Sequence, residues 1–114
     1  MGQSALRLGC AEGRWLPMVR IDHFRGFDEY WSVPAGDTTA RNGKWCPGPG
    51  MDLVGLLKEK FSNIEFIAED LGEPSPTVVK LLQDSQWPGM KVLEFAFDSG
   101  EANDYQPHNY TTNC

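Results

Sequence analysis

From residue 17 onward, short apolar runs alternate with stretches whose apolar residues recur at helical spacing. That alternation is expected of strand–helix–strand units building a parallel sheet. "MVRIDHF", residues 18–24, predicts a first strand. Residues 25–50 read as a long loop, rich in glycine and proline and carrying Phe27, Tyr30, Trp31 and Trp45, more aromatic than a passive connector needs. In "MDLVGLLKEKF", Leu53, Leu56, Leu57 and Phe61 recur at helical spacing and predict a helix with that stripe turned to a sheet. "IEFIAED", residues 64–70, predicts a second strand. A second helix opens with Ser75 as N-cap and Pro76 in the first turn, where a missing N–H costs little, and its stripe is Val78, Val79, Leu81 and Leu82. Pro88 and Gly89 close it, "KVLEFAF" (91–97) predicts a third strand, and "DSGEANDYQPHNY" runs on as aperiodic loop.

Three parallel strands with two crossover helices leave two apolar sheet edges unpaired. A closed (β/α)8 barrel would cover them but needs about 250 residues, and the chain has 114. The expected fold class is therefore α/β, an arc of a TIM barrel rather than the whole.

Composition narrows the function. Hydrophobic residues make up 40% and charged residues 23%, the balance of a packed segment rather than a disordered one. The net charge of −6, with no clustered Lys or Arg, argues against nucleic acid as a partner and suits a site built from carboxylates. Cys10, Cys46 and Cys114 form neither a CxxC pair nor a disulfide framework, which fits a cytoplasmic protein. Neither a signal-peptide run nor a bilayer-length apolar stretch occurs, so no membrane partner is expected. His23 and His108 lack a cysteine or carboxylate at ligand spacing, and "GPGMDLVG" follows a loop rather than a strand, so neither a metal nor a dinucleotide cofactor is expected.

The candidate chemistry lies in "VRIDHFRGF", residues 19–27. In an extended chain Val19 and Ile21 point one way while Arg20 and Asp22 point the other. The pair is either a structural ion pair or a carboxylate held ionised for chemistry by its guanidinium neighbour. On the second strand Glu65, Ile67 and Glu69 share one face, and Glu69 falls at the C-terminal end, as Asp22 does on the first. Barrel chemistry sits at that end. Glycoside chemistry needs two facing carboxylates there, one ionised at the anomeric carbon and one holding a proton for the leaving oxygen. On this reading Arg20 keeps Asp22 charged and Glu69, more enclosed and close to Asp22, is pushed toward its protonated form. The competing reading of Glu69 is an exposed strand-end acid.

"VRIDHFRGFDEYWSVPAGDTTARNGKWCPGPG", followed by "FIAEDLG" and "GMKVLEFAFD", closely resembles the 4-α-glucanotransferases of glycoside hydrolase family 77, known as amylomaltase or disproportionating enzyme. The resemblance runs from about Val19 to Tyr110. Related α-amylases share the "RID" spacing but neither the "HFRGF" continuation nor the "PAGDTTARNG" loop. The resemblance implies a (β/α)8 barrel of which this chain would supply roughly the fourth to sixth strands. It implies Asp22 as catalytic nucleophile, Glu69 as general acid/base and Arg20 as support of the nucleophile. His23 would lie near the sugar at the cleaved bond, Phe95 and Asp98 at the end of the next strand, and His108 and Asn109 in a loop close to substrate. Packing, loop capping and an ordinary surface imidazole are the alternatives for those last four. The implied reaction is a retaining double displacement on α-1,4-glucans such as maltooligosaccharides, starch and glycogen, with no cofactor. Tyr30, Trp31 and Trp45 could stack on sugar faces and favour a glucan acceptor over water, or pack only on one another.

Residues 1–17 do not match the segment the family places before this strand, so the expected organisation is an atypical N-terminal piece, 1–17, and a partial catalytic barrel, 18–114, that includes the 25–50 loop. The chain stops at "TTNC", ahead of the family's Thr-His-Asp-Asn motif with its third acidic residue. The expectation is a truncated 4-α-glucanotransferase, inactive alone, that needs the remaining barrel segments or associates with itself through exposed sheet edges. The alternative is a non-catalytic glucan-binding or association fragment of the same ancestry. If the whole protein comes from a plant or alga, a plastid replaces the cytoplasm.

Overall fold

The computed structural model describes residues 17–72, 75–97 and 104–110. In chain order its elements are β1 (Met18–Ile21), β2 (Glu29–Ser32), β3 (Lys44–Pro47), α1 (Gly50–Lys60), β4 (Glu65–Ala68) and α2 (Pro76–Ser85). Short 3-10 turns occupy Phe24–Phe27, Ala40–Asn42, Leu93–Phe97 and Pro107–Asn109.

The expected strand–helix–strand unit is present. β1 and β4 pair in parallel, with Met18 opposite Glu65, Arg20 opposite Ile67 and Ile21 opposite Ala68. Parallel neighbours require a crossover, and α1 lies on it. Alternation along β4 sends Phe66 and Ala68 to one side, where they join Phe24, Val54, Leu81 and Trp87 in the core. Trp87 organises that core: its ring stacks on Phe66 at 4.9 Å and meets Phe24 edge-on at 6.0 Å. Burying a large apolar side chain stabilises by about 1.5–3 kcal/mol, so these few residues supply much of what holds both helices to the strand pair.

α2 starts as its sequence predicts: Ser75 Oγ accepts from Val78 N at 3.4 Å, and Pro76 stands in the first turn. It stops at Gln86, which adopts a left-handed φ of 57°. Val78 and Leu81 are buried, Leu82 is partly buried and Val79 is exposed. α1 departs further from its predicted stripe. Val54 is the fully buried residue at 0% exposure, with Leu57 packed partly beneath, whereas Leu56 is 49% exposed and Phe61 also faces outward. Residues two apart on a helix face nearly opposite ways, so a helix with apolar residues at 53, 54, 56 and 57 offers two stripes, and the sheet selects one.

The segment expected to be only loop, 25–50, contains an antiparallel hairpin of β2 and β3 with Trp31 opposite Trp45 and Tyr30 opposite Cys46. Its strands are short, and the glycines around them read as loop residues. Two of those glycines serve packing. A Cβ on Gly43 would run into the Trp31 indole, and one on Gly48 into the carbonyl oxygens of Gly26 and Phe27. The hairpin is tied to α2 by Thr77, whose hydroxyl donates to Asp28 Oδ2 at 2.7 Å.

The predicted third strand is not formed: Leu93–Phe97 is a 3-10 turn, so the described residues hold two parallel strands instead of three. The free edge of β4 explains the outcome. Ala68 N donates to Pro88 O at 2.9 Å, but proline returns no N–H, and Met90 N is taken by the Asp70 side chain at 2.7 Å. The chain therefore meets β4 without a ladder and turns away, leaving Phe97 79% exposed. A short apolar run does not by itself decide between strand and helix. No helix among the described residues is long and apolar enough to cross a membrane.

Candidate active site

The parallel register continues beyond the strands. Glu69 N donates to Ile21 O at 2.9 Å and Phe24 N donates to Glu69 O at 3.0 Å, so residues 22 and 69 stand together at the C-terminal end of the pair. Arg20 Nη2 lies 2.8 Å from Asp22 Oδ1 and 3.8 Å from Glu69 Oε2. One guanidinium nitrogen thus reaches both carboxylates, and those oxygens are no farther apart than the two distances laid end to end. The settings differ, for the Asp22 side chain is 77% exposed and that of Glu69 only 15%. An ion pair as open as Arg20–Asp22 stabilises a fold by only about 0–1 kcal/mol, so stability is a weak reason for this arrangement.

Glu69 is held more firmly than its letters indicate. His23 N donates to Glu69 Oε2 at 2.8 Å and Leu71 N donates to Oε1 at 3.2 Å. His23 can aim its N–H there because it adopts a left-handed conformation, φ 53° and ψ 55°, between β1 and the following 3-10 turn. Such backbone costs on the order of 1–3 kcal/mol in a non-glycine residue and collects at functional sites. The main-chain contributions of His23 and Leu71 escape sequence reading, because every residue carries an N–H. The weak available signal is histidine's enrichment in left-handed backbone.

The hairpin presents a second group. Trp31 and Trp45 meet at 5.3 Å between ring centroids with their planes 71° apart, and both are exposed. Trp31 Nε1 donates to Ala40 O at 2.9 Å, and the Arg25 guanidinium lies 5.0 Å from the Trp45 ring centre while pairing with Glu29 Oε1 at 2.7 Å. Tyr30, grouped with the tryptophans in the sequence reading, belongs to the opposite face of the hairpin because adjacent strand residues alternate.

The remaining described candidates belong to the two C-terminal turns. Phe95 packs edge-on against Tyr105 at 5.2 Å, beside Lys91 over the same Tyr105 ring. His108 and Asn109 sit exposed in the Pro107–Asn109 turn, closed by Asn109 N donating to Gln106 O at 2.8 Å. Asp98, with Cys10 and Cys114, lies outside the described residues.

The family model for 4-alpha-glucanotransferases, glycoside hydrolase family 77, matches residues 10–114. A 4-alpha-glucanotransferase of Clostridium butyricum is 50% identical over 97 residues, covering 85% of this chain and 20% of that protein. One from Thermus thermophilus is 50% identical over 93 residues, 82% of this chain and 19% of its own length. A potato relative described as chloroplastic/amyloplastic is 45% identical over 94 residues, or 82% of this chain and 16% of that protein. Among solved structures, an amylomaltase from Streptococcus agalactiae in complex with acarbose superposes with a TM-score of 0.71 at 43% identity, covering 82% of this chain and 19% of that one. The chain spans about a fifth of the length of the first two relatives. On the strength of the family match and of these shared segments, the chain belongs to the 4-alpha-glucanotransferases of glycoside hydrolase family 77.

Proposed function

We propose that this chain is an arc of a (β/α)8 barrel carrying the two reacting carboxylates of a retaining 4-α-glucanotransferase. The supporting observation is the Arg20 guanidinium at 2.8 Å from Asp22 and 3.8 Å from Glu69, at adjacent ends of parallel strands. The spacing admits the roughly 5–5.5 Å carboxyl separation of retaining enzymes. Asp22 attacks the anomeric carbon of an α-1,4-glucan while Glu69 protonates the departing glucosidic oxygen, leaving a covalent glucosyl-enzyme. Glu69 then removes the proton from the 4-hydroxyl of an incoming glucan, and the new bond forms as the Asp22 ester breaks. Arg20 orients both carboxylates. His23, Trp31, Trp45, Phe95, Asp98, His108 and Asn109 are the proposed substrate contacts, with further contacts on barrel segments of the kind the longer relatives contain. Maltooligosaccharides and starch- or glycogen-type glucans are the proposed substrates, in the cytoplasm or a plastid.

The test places residues 19–110 in the matching segment of the Clostridium butyricum relative and supplies maltotriose. Glucose together with longer maltodextrins is expected, and Asp22→Asn should abolish both products. With an activated α-glucosyl donor and azide, Asp22→Gly should yield the β-glucosyl azide and Glu69→Ala the α-glucosyl azide, because the two variants lose opposite steps. Wild-type transfer by Asp22→Asn would overturn the assignment. A second reading, glucan binding or association without turnover, draws on the exposed tryptophan pair and on Leu93 and Phe97, and predicts maltodextrin binding with no product.

A further inference from the structure

We propose that Asp70 is a positioning residue for Glu69, clamping the end of β4 so that the Leu71 N–H meets the Glu69 carboxylate. The inference rests on the acid/base reading of Glu69. On the β1 side, Glu69 is fixed through its own backbone to Ile21 and Phe24. On the other side the attachments are Ala68 N to Pro88 O at 2.9 Å and Met90 N to Asp70 Oδ1 at 2.7 Å. The strand end is therefore gripped from both edges, which limits its rotation about its own axis.

Two details make the grip specific. Leu71, whose N–H donates to Glu69 Oε1 at 3.2 Å, directly follows Asp70, so the backbone conformation at 70 decides where that N–H points. Gly89 is buried against the Asp70 carboxylate, and a Cβ there would lie 2.7 Å from Oδ2 and 2.9 Å from Oδ1. A side chain at 89 would displace the carboxylate from Met90 N. The Asp70 carboxylate accepts from Met90 N, and its effect passes through the placement of Glu69.

The test compares Asp70→Ala, Asp70→Asn and Gly89→Ala in the protein that carries residues 19–110 in the matching segment of the Clostridium butyricum relative, by maltotriose transfer kinetics and by the Leu71 amide proton in NMR spectra. Asn keeps an acceptor at Oδ1. Asp70→Ala and Gly89→Ala should each lower kcat about tenfold with KM within about twofold, since small misplacements of a reacting group are costly. In both, the Leu71 amide should move upfield and exchange faster, while Asp70→Asn stays near wild type. The double variant should be no worse than the poorer single, because both break one contact. Wild-type kcat and an unmoved Leu71 amide in Asp70→Ala would overturn the proposal, as would a kcat loss matching only the unfolded fraction. Full activity in Glu69→Gln would instead sink the acid/base reading, with the amide shift still reporting the clamp.

Discussion

His23 and Glu69 are 46 positions apart, yet the main-chain N–H of His23 donates to the Glu69 carboxylate at 2.8 Å. The bond depends on the left-handed φ of 53° at His23, a conformation glycine adopts freely and a β-branched residue resists. His23→Gly should keep the site geometry and lose no stability, whereas His23→Val should lower unfolding free energy by about 1–2 kcal/mol in urea titration. Equal stability of the two variants would show that the turn carries no backbone constraint.

Arg20 separates a site role from a folding role. Its close pair, with Asp22, is exposed, and Glu69 keeps its two main-chain donors without it, so Arg20→Ala should change stability by less than about 1 kcal/mol. Under the proposed function transfer should nevertheless fall at least about a hundredfold, and Arg20→Lys should recover little of it, because the one nitrogen that meets both carboxylates, Nη2, is held by a rigid planar group, whereas a lysine ammonium ends a flexible four-carbon stem. A large drop in melting temperature with unchanged specific activity would reverse these roles.

At the hairpin, Gly43 leaves the space in which the Trp31 indole lies. Gly43→Ala should destabilise the protein by about 1–3 kcal/mol and shift tryptophan emission to the red as Trp31 is expelled. Under the proposed function it should raise KM for maltodextrins more than it lowers kcat. An unchanged emission maximum would mean that the indole does not depend on that space.

The face chosen by α1 is tested by a pair of truncations. Val54→Ala removes methyl groups from a fully buried position and should cost about 1–3 kcal/mol, while Leu56→Ala, on the outer side, should stay within about 0.5 kcal/mol. Thermal melts of the two variants measure this directly. The reverse ranking would restore the stripe that spacing alone suggests.

What could be read directly from the letters is local or carried in long ordered motifs. Ser75 and Pro76 announce the start of α2 because capping is satisfied within one turn, and the alternation of Val19, Arg20, Ile21 and Asp22 aims Arg20 and Asp22 together. The long stretch from "VRIDHFRGF" through "PAGDTTARNG" to "KWCPGPG", with "FIAEDLG" and "GMKVLEFAFD", carried the family resemblance and, with it, the candidates Asp22 and Glu69. Tertiary structure decided whatever depends on a distant partner. The "KVLEFAF" run became a 3-10 turn because Pro88 and Asp70 met β4 without a ladder, and Trp31 and Trp45 became neighbours because residues between them folded back into a hairpin. Val54 outcompeted Leu56 for the core because the sheet and α2 lay on its side, and Glu69 gained two main-chain donors because the turn after β1 brought His23 across to it and its own chain folded Leu71 back. Apolar spacing sets what must be buried. The three-dimensional arrangement of strands and turns sets against what, and with which hydrogen bonds.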